Sequence, residues 1–78
     1  MVGKIIKEYM EEKGIKQVRV SEKTGITPQI LGQILKETRK IETSEFFTIC
    51  EAIEVNPFEI ASRAGLYTQQ TIKKEVTA

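Results

Sequence analysis

Seventy-eight residues leave room for one domain with a modest core, and 40% apolar with 29% charged residues is the balance of a folded chain. The chain has no histidine, aspartate or tryptophan and one cysteine, Cys50, which excludes a Ser-His-Asp triad, a Cys–His pair, a structural zinc site and an internal disulfide within one chain. A net charge of +1 argues neither for nor against a polyanionic partner until its distribution along the chain is considered.

Residues 2–13 place Val2, Ile5, Ile6, Tyr9 and Met10 at helical spacing and stop at Gly14. Residues 17–24 form a short second helix with Val20 and Thr24 facing inward; its β-branched content makes it a poor helix former that packing must hold. Gly25 suits the left-handed conformation that closes this helix and turns the chain. Thr27-Pro28 then reads as an N-cap followed by proline at the first helical position, where its missing N–H costs nothing. Helix three runs to about Lys36, and residues 37–42 form a polar loop. Thr43 is expected to cap a fourth helix carrying Phe46, Phe47, Ile49, Cys50 and Ile53, and Asn56-Pro57 repeats the cap-plus-proline device to open a fifth with Phe58, Ile60 and Ala61. The three phenylalanines and Cys50 read as core. From Gly65 the tail LYTQQTIKKEVTA reads equally as a last helical turn or as an arm, with Tyr67 and Ile72 either packed on the domain or forming a dimer seam.

Five short helices with short turns predict a compact all-α domain. No apolar run approaches the ~20 residues that span a bilayer, and MVGKIIKEYMEEK reaches charged residues too early for a secretory signal, so the expected location is cytoplasmic. No metal or other cofactor is expected. Glutamates such as Glu11 and Glu12 read as solvated helix faces rather than an acid–base pair, so the chain reads as a non-enzyme.

Charge is segregated. Residues 13–40 hold seven bases against Glu22 and Glu37, a local +5, whereas residues 41–62 hold five glutamates and no base, a local −5. Within the basic stretch, helix three on a wheel of about 100° per residue gathers Ile30, Leu31, Ile34 and Leu35 in one arc and Gln29, Gly32, Gln33 and Lys36 in the other. A dry back, an amide-bearing front and a tight glycine turn after a short helix make the helix-turn-helix layout, in which the second helix lies in the major groove. Glutamine can donate and accept at once, which matches the N6/N7 edge of adenine. Gly32 removes a side chain where the helix would otherwise stand off, at a cost of about 1 kcal/mol relative to alanine.

From about Ile6 to Ala61 the chain resembles the phage repressor/Cro-type (XRE) helix-turn-helix family. Gly14-Ile15-Lys16-Gln17 is similar to that family's G-L-S-Q opening of helix two, and AIEVNPFEI is similar to its A-L-G-V-S-x-x-E-L ending. Val20-Ser21, Gly25-Ile26, Thr27, Leu31 and Ile34 stand where the family has its hydrophobic-small pair, turn glycine, cap and recognition-helix core positions. The resemblance implies a repressor-like domain over residues 1–64, a helix-turn-helix unit at about 17–36 with recognition helix 27–36, and a C-terminal tail over 65–78. It implies base contacts from Pro28, Gln29, Gly32 and Gln33, and phosphate contacts from Gln17, Thr27, Lys36, Arg39 and Lys40. The chain departs from the family at several points. Met10 and Leu35 stand where the family often has a buried Arg–Glu pair, and are expected to pack together. Glu37 stands for a glycine, Lys16 for a capping residue, Thr24 for a leucine and Pro28 for a polar reader.

The expected function is a sequence-specific double-stranded DNA-binding regulator, repressor-like and homodimeric. A protein-interaction module, antitoxin-like and working through the acidic 42–59 region, is the alternative.

Overall fold

Residues 2–66 are described by a computed structural model and form five helices: α1 (Val2–Lys13), α2 (Gln17–Thr24), α3 (Pro28–Leu35), α4 (Thr43–Ala52) and α5 (Pro57–Arg63). The expectations for Tyr67 and Ile72 lie outside the described residues.

The helices begin and end where local chemistry provides for their loose backbone groups. Thr27 accepts from the Ile30 N–H at 3.3 Å and Asn56 accepts from the Phe58 N–H at 2.8 Å, each ahead of a proline in the first turn. The start of α4 is a correction. Thr43 is its first helical residue, and the cap position belongs to Glu42, whose N–H is taken by Glu45 Oε1 at 2.9 Å. A glutamate at the third helical position reaching back to the cap residue's amide is half of a capping box, and it draws the boundary one residue earlier than the threonine suggests.

The core joins every helix. Ile6, Tyr9 and Met10 of α1, Val20 of α2, Leu31, Ile34 and Leu35 of α3, Ile49 and Cys50 of α4, Ile53 and Val55 beyond it, and Ile60 of α5 form one buried cluster. Each fully buried aliphatic side chain stabilises the fold by about 1.5–3 kcal/mol relative to its exposure. Met10 and Leu35, each 2% exposed, both lie in this cluster, where α1 packs on α3. Desolvation pushes the Cys50 thiol up to about 11, so it is a protonated core side chain at neutral pH.

Two phenylalanines contradict the expectation of burial. Phe46 packs partly against the core, but Phe47 is 53% and Phe58 61% exposed. On α4, positions 46, 49, 50 and 53 share the buried stripe, and Phe47 lies one residue, about 100°, off Phe46. On α5, Ile60 holds the inward position and Phe58 is roughly 200° away from it.

The first turn of α1 rests directly on the end of α3. A Cβ added to Gly3 would overlap the Ile34 carbonyl oxygen, so only glycine permits this approach. At the far end of α1, Arg63 of α5 bridges Glu12 at 3.2 Å and Glu59 at 2.9 Å, and lies over the Tyr9 ring at 5.5 Å. The two contacts between α1 and other helices hold the frame against which α2 and α3 are presented.

Candidate nucleic-acid interface

The turn between α2 and α3 is clamped by two small side chains. Ser21, buried at the inner face of α2, donates its hydroxyl to the Ile26 carbonyl. Thr24 Oγ1 donates to the Val20 carbonyl at 2.8 Å and accepts from the Ile26 N–H at 3.1 Å. Gly25, with φ 78°, closes α2 by donating its N–H to the Ser21 carbonyl at 2.9 Å. These bonds tie Gly25 and Ile26 to α2, with Thr24 itself anchored on Val20, so the entry direction of α3 is set by short side chains within five residues. Thr24 therefore replaces apolar bulk with two hydrogen bonds.

On α3, Leu31, Ile34 and Leu35 are buried, while Pro28 and Gln29 are exposed and Gly32 and Gln33 partly so. A Cβ built on Gly32 meets nothing within 4 Å, so internal packing does not require glycine there. The front of α3 thus presents two amide side chains either side of bare backbone, followed by an exposed Lys36.

The basic surface around this helix is largely uncompensated. Lys16, Arg19, Lys23, Lys36 and Lys40 are exposed and form no salt bridge among the described residues, whereas Arg39 and Arg63 are each held by glutamates. Arg39 Nη1 lies 3.0 Å from Glu45 Oε2. The carboxyl of Glu45 is held below the usual range, first by the Glu42 N–H and then by the Arg39 guanidinium. Gln17 is the first helical residue of α2 and is exposed; Lys16 ahead of it makes no side-chain cap bond. Among the described residues no group of three or more potential metal-ligating side chains forms a site.

A helix-turn-helix family model matches residues 6–60, more than half of the chain. The chain belongs to the phage repressor/Cro-type helix-turn-helix family. No match is found among curated proteins or among solved structures.

Membership of this family makes the protein a DNA-binding regulator of transcription, built on a non-enzymatic type of domain whose partner is double-stranded DNA. No helix among the described residues is long and apolar enough to cross a membrane. The family's glycine after helix three has a direct counterpart in conformation: Glu37 adopts φ 64°, the left-handed region, and its Oε2 accepts the Lys4 N–H of α1 at 3.2 Å. A non-glycine residue in that region is held at a cost of order 1 kcal/mol, here offset by a hydrogen bond that glycine lacks. Sequence reasoning missed three residues that shape this surface: Gly3, Glu37 as a contact of α1, and Glu45. Only Glu45 carried a visible signal, its three-residue spacing from Glu42.

Proposed function

We propose that the protein is a repressor-like homodimer that binds a two-fold-symmetric DNA site and places α3 in the major groove. The observation that carries this reading is Gly32. It sits mid-helix with open space where a side chain would be, between Gln29 and Gln33, on a helix otherwise well packed at its back. A mid-helix glycine that internal packing does not need is consistent with close approach by an external surface.

In this reading Gln29 and Gln33 hydrogen-bond to base edges, Pro28 makes apolar contact, and Gly32 lets the backbone approach. Gln17, Thr27, Lys36 and Lys40 engage phosphates on either side, with Arg39 in the same loop. Thr27 Oγ accepts from Ile30, which leaves its hydroxyl proton to donate outward. Phosphate contacts fix the register and base contacts specify the sequence. Two copies related by two-fold symmetry would read half-sites ~34 Å apart.

A second reading is favoured by the α4–α5 side. Exposed Phe47 borders a depression of about 360 Å³ with Glu51, Val55 and Pro57, a surface of apolar and acidic groups that suits a protein rather than DNA. That surface serves either a second copy of the chain or another protein.

Selection from a randomised duplex pool at two salt concentrations tests the proposal. Enrichment of an inverted repeat, lost in the Gln29→Ala, Gln33→Ala double variant, supports it. A pool without enrichment and without salt-sensitive binding would overturn it in favour of the protein-interaction reading.

A further inference from the structure

The loop between α3 and α4 is pinned by three helices. Glu37 reaches the Lys4 N–H at the start of α1. The Thr38 N–H and hydroxyl donate to the Gln33 carbonyl of α3 at 3.0 and 3.3 Å. Arg39 Nη1 meets Glu45 Oε2 of α4 at 3.0 Å, while the other oxygen of that carboxylate takes the Glu42 N–H at 2.9 Å. One carboxylate thus closes both the end of the loop and the first turn of α4.

This geometry separates Arg39 from its neighbours. The Glu45 side chain is only 16% exposed and that of Arg39 36%, whereas Lys36 and Lys40 are exposed and make no salt bridge among the described residues. If the guanidinium swung onto a phosphate, it would leave a largely enclosed carboxylate without its cation and facing a polyanion. A charge already balanced by a glutamate also displaces little counterion from DNA.

We propose that Arg39 and Glu45 are positioning residues: their ion pair sets the loop that delivers Lys36 and Lys40 to the phosphate backbone, and Arg39 neutralises no phosphate itself. This rests on the DNA-binding reading above.

The test is a salt series of binding to one selected duplex for the full chain and its Arg39→Gln, Glu45→Ala, double and Lys40→Gln variants. Lys40→Gln is expected to reduce the slope of log K against log salt by about 0.9, the signature of one lost phosphate contact. Without the pair the loop must be ordered on binding, yet both lysines still reach phosphates in the complex, so Arg39→Gln and Glu45→Ala should each lower affinity roughly tenfold with the slope unchanged. The double variant should lose no more than either alone, as coupled partners do. Thermal melts of the same variants correct the affinities for folded fraction, which the slope does not depend on. A slope reduced by about 0.9 in Arg39→Gln would make it a direct phosphate contact and sink the proposal. Unchanged affinity in Arg39→Gln, or tighter binding in Glu45→Ala, would sink it equally. Wild-type binding with no salt dependence would instead bring down the DNA reading, and the proposal with it.

Discussion

The α2–turn–α3 unit and the α4–α5 unit are built on the same core yet present opposite chemistry. The first exposes lysines, an arginine and two glutamines around a glycine with open space before it. The second exposes Glu42, Glu51, Glu54 and Glu59 with Phe47 and Phe58. At the edges of the second unit both arginines, Arg39 and Arg63, are drawn into bridges with Glu45, Glu12 and Glu59. Charge is balanced where helices are tied together and left unbalanced around α3. A total of +1 hides this division, because the field that a partner meets is set by the near surface and is screened over roughly 10 Å at 0.1 M salt.

The most severe way to break the comparison is to remove the core that both units share. Leu31, wholly buried on the back of α3, should cost about 2–5 kcal/mol when truncated to alanine, measured by chemical denaturation, and both surfaces should be lost in one transition. The same core predicts a thiol response. Burial raises Cys50 from 9.0 to about 11, so the folded state is favoured fully below pH 9 and loses this contribution as pH rises towards 11. Cys50 should therefore resist alkylation in native protein at pH 8 and react once the chain is unfolded; rapid native labelling would contradict its place in the core.

Next in size is the test that separates the two surfaces. Gln33→Ala should relax preference at one base-pair position per half-site by ~1–3 kcal/mol in a binding-site selection, whereas Glu51→Gln should leave the preferred sequence unchanged. A uniform loss across all sequences on Gln33→Ala would recast that side chain as a phosphate contact. The smallest effect sharpens the comparison most. Gly32→Ala should stabilise the free protein by about 1 kcal/mol in denaturant titration, since nothing lies within 4 Å of the added methyl group. The same change should weaken specific DNA binding, and a variant that gains stability without losing affinity would remove the reason for glycine there.

Much of the architecture was legible in the sequence because its determinants are local. The spans of α1, α2 and α3, the caps at Thr27 and Asn56, and the turn at Gly25 depend on residues within four or five positions of one another. The amphipathic division of α3 followed from its wheel, and burial of Leu31, Ile34 and Leu35 agrees with it. Phe47 and Phe58 were not legible in this way. Phe47 lies one residue off the buried stripe of α4, where a single residue's rotation decides the side, and Phe58 lies across α5 from Ile60 on a helix of 7 residues, too short to show a periodic face. Glu42 displaced Thr43 as the cap because the reach of Glu45 mattered more than the general preference for threonine.

The sequence by itself determined the five helices, their stops, the apolar back and polar front of α3, and the division of charge along the chain. Tertiary structure alone decided that Gly3 lets α1 sit on the carbonyl end of α3, that Glu37 reaches the backbone of α1 from 33 residues away, and that Arg39 turns to Glu45 while Lys40 remains exposed. Helix propensity and capping act through hydrogen bonds between near neighbours in the chain. The contacts of Gly3 with Ile34, of Glu37 with Lys4 and of Arg63 with Glu12 depend instead on how packed helices bring distant residues together.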